Sequence, residues 1–187
     1  MKIVIGLPAF NEEEKLENII NKIRNFADEI IICNDGSTDS TGSIANKMGA
    51  IVINHEKNLG YGAAIKSIFS KAKEIEADIL VTFDADGQHR SQDIQSVIKP
   101  ILDDIADIVI GSRFLNNEEE MPKYRKLGIK VITNFANISS EIKLTDSQSG
   151  FRSYNKKTLS EIHLTESGMG VSTEILIKSN KMKLRIK

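Results

Sequence analysis

The chain has 187 residues, is 40% hydrophobic and 27% charged, and carries a formal net charge of −1 at pH 7. This composition is typical of one soluble globular domain, and the near-zero charge argues against a nucleic-acid-binding protein. The single cysteine, Cys33, excludes an internal disulfide and a cysteine zinc cluster. Because no run of about 18 apolar residues and no signal peptide is visible, we expect a cytoplasmic protein.

Short apolar strands alternate with amphipathic helices over the first part of the chain. The predicted strands are 3–7, 29–33, 50–53, 78–83 and 107–110, and the predicted helices are 12–26, 39–48, 61–76 and 91–104. Gly49 is expected to end the second helix, and Pro100 to make the fourth irregular. This order predicts an α/β fold with a mostly parallel central sheet flanked by helices on both faces.

The alternation stops after Arg113. The predicted elements that follow are an amphipathic helix over 121–142, a loop and short strand over 145–154, a helix over 171–179 and the start of a strand at 183–187. No internal repeat or low-complexity linker separates these elements from the first part of the chain. We therefore expect a single domain over residues 1–187.

Two carboxylates follow the predicted fourth strand. Asp84 and Asp86 are spaced i, i+2, so at the end of a strand they can point the same way. Converging acids repel each other unless a cation lies between them, and Mg²⁺ or Mn²⁺ takes oxygen ligands and often keeps a phosphate as a further ligand. The pair indicates a metal site for a diphosphate, with a solvated turn as the alternative.

Other unusual motifs also follow strands. Residues 8–12 follow the first strand, residues 34–39 the second and residues 111–113 the fifth. Ligands of open α/β sheets bind beyond the carboxyl ends of the strands. The shared position of these motifs therefore predicts one active site.

These motifs contain residues suited to a nucleotide. Asp35 can accept a hydrogen bond from a base or a ribose, and Gly36 lets the chain turn closely against a ligand. The glycine-rich helix entry at residues 58–62 can approach a nucleotide in the same way. The alternative for Asn11 and for Ser37 or Thr38 is helix capping.

The motifs as an ordered set resemble a known family. They read Pro8-Ala9-Phe10-Asn11-Glu12, Asn34-Asp35-Gly36-Ser37-Thr38-Asp39, Asn58-Leu59-Gly60-Tyr61-Gly62 and Asp84-Ala85-Asp86-Gly87-Gln88-His89. This set resembles the inverting family 2 glycosyltransferases, which have the GT-A nucleotide-diphospho-sugar transferase fold. Gly111-Ser112-Arg113, Tyr124-Arg125-Lys126 and Asp146-Ser147-Gln148-Ser149-Gly150-Phe151-Arg152 are similar to its dolichol-phosphate mannose synthase and polyprenyl-phosphate glycosyltransferase branch.

The resemblance covers nearly the whole chain and implies roles for individual residues. It implies a nucleotide-sugar-binding half over 1–113 and an acceptor half over 114–187. The nucleotide would be bound by Pro8, Phe10, Asn11, Glu12, Asp35, Gly36, Asn58, Gly60, Asp84 and Ala85. Mg²⁺ or Mn²⁺ would be held by Asp84, Asp86 and Gln88, and the catalytic residues would be Asp86, Arg113 and Arg125. Acceptor-side candidates are Asp146, Ser149, Arg152 and Glu174.

The implied activity is transfer of a sugar from a UDP- or GDP-sugar to a polyprenyl (dolichyl) phosphate. Guanidinium groups suit the acceptor phosphate, so Arg113 and Arg125 would grip it. A phosphate monoester is already anionic near neutral pH, since its second pKa is about 6, and needs no catalytic base. If the acceptor were a glycan hydroxyl, we would expect Asp146 or Glu174 to act as the base.

A basic cluster begins the predicted helix over 121–142. Lys123, Arg125, Lys126 and Lys130 lie in its first turns. We expect this helix to lie at the cytoplasmic face of the membrane, with its cations on anionic head groups and its apolar side in the surface. The alternatives are a solvated basic face and an apolar face packed on the sheet.

Three other interpretations stay open. A family 2 glycosyltransferase acting on a glycan would use the same donor site. A sugar nucleotidyltransferase would normally have a glycine-rich, basic signature where this chain has Pro8 to Glu12. A catalytically silent nucleotide-sugar-binding module is the third. This module is considered because the chain ends at Lys187, within a predicted strand, where similar proteins continue. We expect either a trimmed C-terminus or a protein in which that last segment is absent.

The remaining reactive side chains are expected to have minor roles. His89 is placed near the metal in a supporting or surface position, and His55 and His163 on the surface or in loops. Cys33 lies in a predicted buried strand, so we expect it to contribute packing rather than chemistry.

Overall fold

The structure is a computed structural model that describes residues 1–85, 90–112 and 149–187. The strands are β1 (Ile3–Ala9), β2 (Glu29–Asn34), β3 (Ile51–Asn54), β4 (Ile79–Thr82), β5 (Ile108–Ile110) and β6 (Arg152–Asn155). The helices are α1 (Glu13–Ile23), α2 (Thr41–Lys47), α3 (Tyr61–Glu74), α4 (Ile94–Leu102), α5 (Lys156–Glu161) and α6 (Val171–Lys181). Short 3₁₀ turns at Arg24–Phe26 and Ser91–Asp93 follow α1 and precede α4.

The strands form one sheet in the order β3-β2-β1-β4-β6-β5. The contacts β1–β2, β1–β4 and β2–β3 are parallel, whereas β6 lies antiparallel between β4 and β5. The predicted α/β fold with a mostly parallel sheet is confirmed. The antiparallel strand comes from the second half of the chain, so both halves contribute to one sheet.

Alternate strand residues face two hydrophobic cores, one on each side of the sheet. Ile5 and Leu7 of β1 pack on the side of α1, α2 and α4, while Val4 packs on the side of α3, α5 and α6. Strand side chains alternate in this way because of the pleat. The helices on both faces leave the carboxyl edge of the sheet for polar loops.

Several predicted boundaries change. The predicted strand at 183–187 is wrong in extent, because only Ile186 bridges to β5, at Ile108. The helix α5 was not predicted. Asn155 begins it by accepting a hydrogen bond from Thr158 N at 2.8 Å, a capping signal that spans only a few residues.

Pro100 lies inside α4, which ends two residues later, and Gly49 turns the chain after α2 with φ 73°.

The predicted helix over 121–142 lies outside the described residues. Among residues 1–85, 90–112 and 149–187, none of the helices has both the length and the apolar character needed to cross a bilayer.

Candidate active site

The loops after β1 and β2 interlock at the carboxyl edge of the sheet. Asn11 accepts a hydrogen bond from Thr38 N at 2.9 Å, and its own N–H donates to Ser37 Oγ at 3.0 Å. Glu12 N donates to Thr41 Oγ1 at 2.8 Å. Two of the sequence motifs are thus brought together. The capping alternative is wrong for Asn11, since its side chain holds the neighbouring loop instead of α1.

The backbone at Asn11 has φ 56°, in the left-handed region that asparagine tolerates better than most residues. This turn leaves Phe10 46% exposed beside the loop of residues 34–39. Pro8 and Glu12 are partly buried at the same edge. An exposed aromatic ring with polar neighbours is a surface on which a base can stack.

Asp35 is buried at the end of β2 and is bonded on several sides. Its carboxylate accepts hydrogen bonds from Leu59 N at 3.0 Å, Gly60 N at 2.9 Å and His55 Nδ1 at 2.6 Å. The side chain therefore joins the second motif to the third. Asn58 lies in the joined loop, and Gly36 brings the two backbones into contact, because a Cβ there would lie 2.4 Å from Asn58 N.

His55 lies in a loop, which agrees with the prediction of a surface or loop residue, but its side chain is not on the surface. His55 follows β3, but only 10% of the side chain is exposed, and Nε2 lies 2.8 Å from Ser67 Oγ of α3. Its position directly after a strand at the carboxyl edge was the available sequence signal. His163, by contrast, is exposed as predicted.

Cys33 lies beside this network, with Sγ 3.6 Å from His55 Nε2. Burial and the Asp35 carboxylate raise the pKa of the Cys33 thiol to about 12, against a smaller opposing effect of a hydrogen bond with Ser67. A thiol with this pKa is protonated and unreactive at neutral pH. The predicted packing role of Cys33 is supported.

Asp84 follows β4 and is partly buried. The hydroxyl of Tyr61, the first residue of α3, donates to Asp84 Oδ1 at 3.2 Å. Burial, followed by the Asp84 carboxylate, raises the pKa of Tyr61 well above its usual value, so the phenol keeps its proton. Tyr61 was missed by sequence reasoning, although it lies between two glycines at a helix start.

The rest of the acidic motif is only partly described. Ala85 is buried, whereas Asp86, Gln88 and His89 lie outside the described residues. Within residues 1–85, 90–112 and 149–187, no group of three or more His, Cys, Asp and Glu side chains could hold a metal ion. Asp84 supplies one hard oxygen donor at the predicted place, which fits Mg²⁺ or Mn²⁺.

The glycine-rich entry to α3 contacts protein rather than open space. Ala63 N donates to Ser167 O at 3.1 Å, and a Cβ on Gly62 would lie 2.6 Å from Gly168 O. Gly60 has φ 95°, and a Cβ there would lie 2.8 Å from Ser167 O. The loop of residues 165–170 therefore packs closely on this turn, and approach of the turn to a nucleotide stays a prediction.

Glu174 of α6 holds that loop. Its carboxylate accepts hydrogen bonds from Thr165 N at 2.8 Å and Glu166 N at 3.0 Å, and pairs with Lys178 at 2.7 Å. Burial alone would raise the pKa of Glu174, but hydrogen bonds from Lys178 and Thr165 outweigh it and lower the pKa to about 2. Such a carboxylate is a weak base at neutral pH.

Arg152 and Ser149 have internal contacts in the described structure. Arg152 is 1% exposed, and its guanidinium donates to Ser149 O at 2.8 Å and Ser172 O at 3.1 Å. It joins the start of β6 to α6. The other predicted residues of the acceptor half, Asp146 and Arg125, lie outside the described residues, as does Arg113.

Residues 4–163 match the model of the family described as "Glycosyl transferase family 2". A UDP-N-acetylglucosamine–dolichyl-phosphate N-acetylglucosaminyltransferase from Methanococcus voltae is 39% identical over 207 residues, covering 98% of this chain and 82% of the relative. A dolichol-phosphate mannosyltransferase from Pyrococcus furiosus is 32% identical over 196 residues, covering 98% of this chain and 54% of the relative.

The fold has a counterpart among solved structures. Glucosyl-3-phosphoglycerate synthase from Mycobacterium tuberculosis, in complex with Mn²⁺, UDP and glucosyl-3-phosphoglycerate, superposes with a TM-score of 0.79 at 23% identity, covering 99% of this chain and 68% of that one. The GT-A fold expected from the motifs is confirmed.

With the fold, the carboxyl-edge motifs and the family match in agreement, the chain belongs to glycosyltransferase family 2. It is a glycosyltransferase, and the expected resemblance to the polyprenyl-phosphate branch is confirmed by the relatives.

Proposed function

We propose that this enzyme transfers a hexose or N-acetylhexosamine from a UDP- or GDP-sugar to a polyprenyl phosphate, with inversion at the sugar carbon. The observation that carries the donor site is the junction of four motifs through Asn11, Asp35 and Asp84 at one edge of the sheet. The relatives named for dolichyl-phosphate acceptors support the choice of acceptor.

The donor half of the mechanism belongs to the loops after β1, β2 and β4. The nucleoside would lie beside Phe10, which is 46% exposed at this edge, and beside the loop that Asp35 holds. Asp84, Asp86 and Gln88 would hold Mg²⁺ or Mn²⁺, which when bound stabilises negative charge on the departing nucleoside diphosphate. Among the described residues, the hydrogen bond from Tyr61 fixes one of these donors, Asp84, before the sugar nucleotide arrives.

The acceptor half needs no proton transfer. A phosphate oxygen attacks the sugar carbon while the bond from that carbon to the diphosphate breaks, and the diphosphate leaves with the bonding electrons. The acceptor enters as an anion, and Arg113 and Arg125 would balance its charge. Glu174, one of the two candidate bases for a glycan acceptor, is hydrogen-bonded to its own loop, which supports this base-free route.

A partition assay tests the proposal. The protein is incubated with Mn²⁺ or Mg²⁺, labelled UDP- and GDP-sugars, and a short polyprenyl phosphate. Metal-dependent movement of label into the organic phase is the expected result. Label appearing only in a water-soluble glycan would contradict the lipid acceptor, and nucleotide binding without transfer would favour the silent binding module.

A further inference from the structure

We propose that Tyr61 is a positioning residue for the Asp84 carboxylate and thereby sets the affinity of the active site for its divalent cation. The inference rests on the proposed function, because it takes Asp84 as a ligand of that cation. It goes further by assigning a role to a side chain on α3, outside the acidic motif.

The contact itself joins two elements that are distant in the sequence. Tyr61 Oη donates to Asp84 Oδ1 at 3.2 Å, from the start of α3 to the end of β4. A hydrogen bond to one carboxylate oxygen fixes the rotation of the group and so the direction of its other oxygen. Groups that orient metal ligands in this way tune the affinity of metal sites.

Gly150 leaves the space in which this contact forms. A Cβ at position 150 would lie 2.5 Å from Tyr61 Oη and 2.5 and 2.6 Å from the two Asp84 carboxylate oxygens. Real Cβ atoms do not approach so closely, so any side chain would push the carboxylate or the phenol away. Gly150 is itself held, because its carbonyl accepts a hydrogen bond from Thr82 Oγ1 at 2.6 Å.

The backbone of Tyr61 is fixed by the loop of residues 165–170. Gly62 packs against the backbone of residues 166–168, and Ala63 N donates to Ser167 O at 3.1 Å. Glu174 anchors the loop from α6. The main chain that carries the phenol of Tyr61 is therefore held by contacts with a different loop from the acidic motif.

The test compares nucleotide affinity with and without metal. Calorimetry measures the affinity of the protein for UDP and for GDP, first in Mn²⁺ and then in EDTA. For the nucleotide that binds more tightly, the ratio of the two affinities is the gain that Mn²⁺ provides. Tyr61→Phe removes one hydroxyl and should reduce this gain about tenfold, with affinity in EDTA and Tm close to wild type. Gly150→Ala should reduce the gain in the same way by displacing Asp84.

Tyr154→Phe is the matched control, because Tyr154 is a buried tyrosine that lines the same small cavity as Tyr61 and packs edge-on against Phe69, with ring centroids 4.8 Å apart. It should keep the full gain from Mn²⁺. A Tyr61→Phe protein with the wild-type gain would overturn the inference, as would an equal loss in Tyr154→Phe. If Gly150→Ala does not fold, Tyr61→Phe decides alone. A wild-type protein that gains nothing from Mn²⁺ would instead contradict the proposed function and the inference with it.

Discussion

Asp35 and His55 form the most constrained side-chain pair of the donor site. The carboxylate takes two backbone N–H groups of the 58–60 loop and one imidazole N–H, and the other imidazole nitrogen lies against Ser67. A carboxylate can only accept, so the short contact with Asp35 places a proton on Nδ1 of His55. Nε2 lies 2.8 Å from Ser67 Oγ, which ties the ring to α3.

Two substitutions at His55 separate what the hydrogen bonds of Nδ1 and of Nε2 contribute to stability and nucleotide binding. Asparagine can place an N–H near Nδ1, whereas glutamine reaches toward Nε2. Loss of a hydrogen bond to a charged group costs about 1.5–3 kcal/mol, so we expect His55→Gln to lower Tm and weaken nucleotide binding. His55→Asn should retain most of both, as measured by thermal unfolding and calorimetry. Equal losses in the two variants would show that Asp35 does not depend on the Nδ1 donor.

A second substitution tests the acidic motif that follows β4. Asp86→Ala should abolish the metal-dependent part of nucleotide binding, because it removes a proposed oxygen ligand. Asp103→Ala is the control, since Asp103 forms an exposed pair with Lys99 at the end of α4. Unchanged affinity of Asp86→Ala in Mn²⁺ would refute the assigned metal site.

The positions of Asp35 and Asp84 just after strands could be predicted from the sequence, because each follows a short apolar run that reads clearly as a strand. The contacts of His55 and Tyr61 were not predicted, because both side chains bond to residues that are distant in the sequence. A histidine after a strand and a tyrosine between glycines have many possible partners, and only the packing of α3 on the sheet selects Asp35 and Asp84.

At the scale of elements, the start of α3 depends on close backbone packing. A Cβ on Gly62 would meet Gly168 O at 2.6 Å and Glu166 O at 2.8 Å, and both are backbone atoms. The pattern of residues 58–62 suggested approach to a nucleotide. Only the folded chain shows that a loop from the second half of the sequence occupies that surface.

Gly62→Ala should therefore destabilise the protein by about 1–3 kcal/mol, although alanine is the better helix former by about 1 kcal/mol. Gly168→Ala is the matched control, because no heavy atom lies within 4 Å of its added Cβ. Denaturant unfolding measures the free energy of unfolding of both variants. If the two variants are equally stable, the loop does not press on α3 as described.

Element boundaries illustrate what local patterns can predict. Apolar periodicity located all four of the first helices and the five strands of the first half, to within a few residues. It did not reveal that β6 enters the sheet antiparallel between β4 and β5, since Arg152 and Ser153 are buried polar residues of that strand. Their hydrogen bonds to distant carbonyls make the burial possible.

At the scale of the whole molecule, an ion pair ties the C-terminal segment to the sheet edge. The guanidinium Nη2 of Arg185 lies 3.0 Å from Asp107 Oδ1. The backbone N–H of Arg185 donates to Asp107 Oδ2 at 2.8 Å. The hydrogen bond from the Arg185 side chain, against an opposing effect of burial, lowers the pKa of Asp107 to about 2. The chain from α6 is thereby fastened beside β5.

Because of this contact, the free energy of unfolding is expected to depend on pH in the acid range. The pKa of an unfolded aspartate is about 3.9, so the stabilisation by Asp107 is complete above that pH and is lost as pH falls toward the folded value. Asp107→Asn should lower Tm by a few degrees at pH 7, and the difference from wild type should shrink between about pH 4 and pH 2. A difference that stays constant over this range would contradict the ionised role of Asp107.

In the proposed donor site, a divalent cation is bound at the carboxyl edge of the sheet by Asp84 and Asp86 and contacts the diphosphate of a sugar nucleotide. A crystal structure with Mn²⁺ and the tighter-binding nucleoside diphosphate would reveal this arrangement. We expect anomalous Mn²⁺ density between these carboxylates and the diphosphate, with the nucleoside beside Phe10 and Asp35. Manganese and nucleotide bound in a different cleft would contradict it.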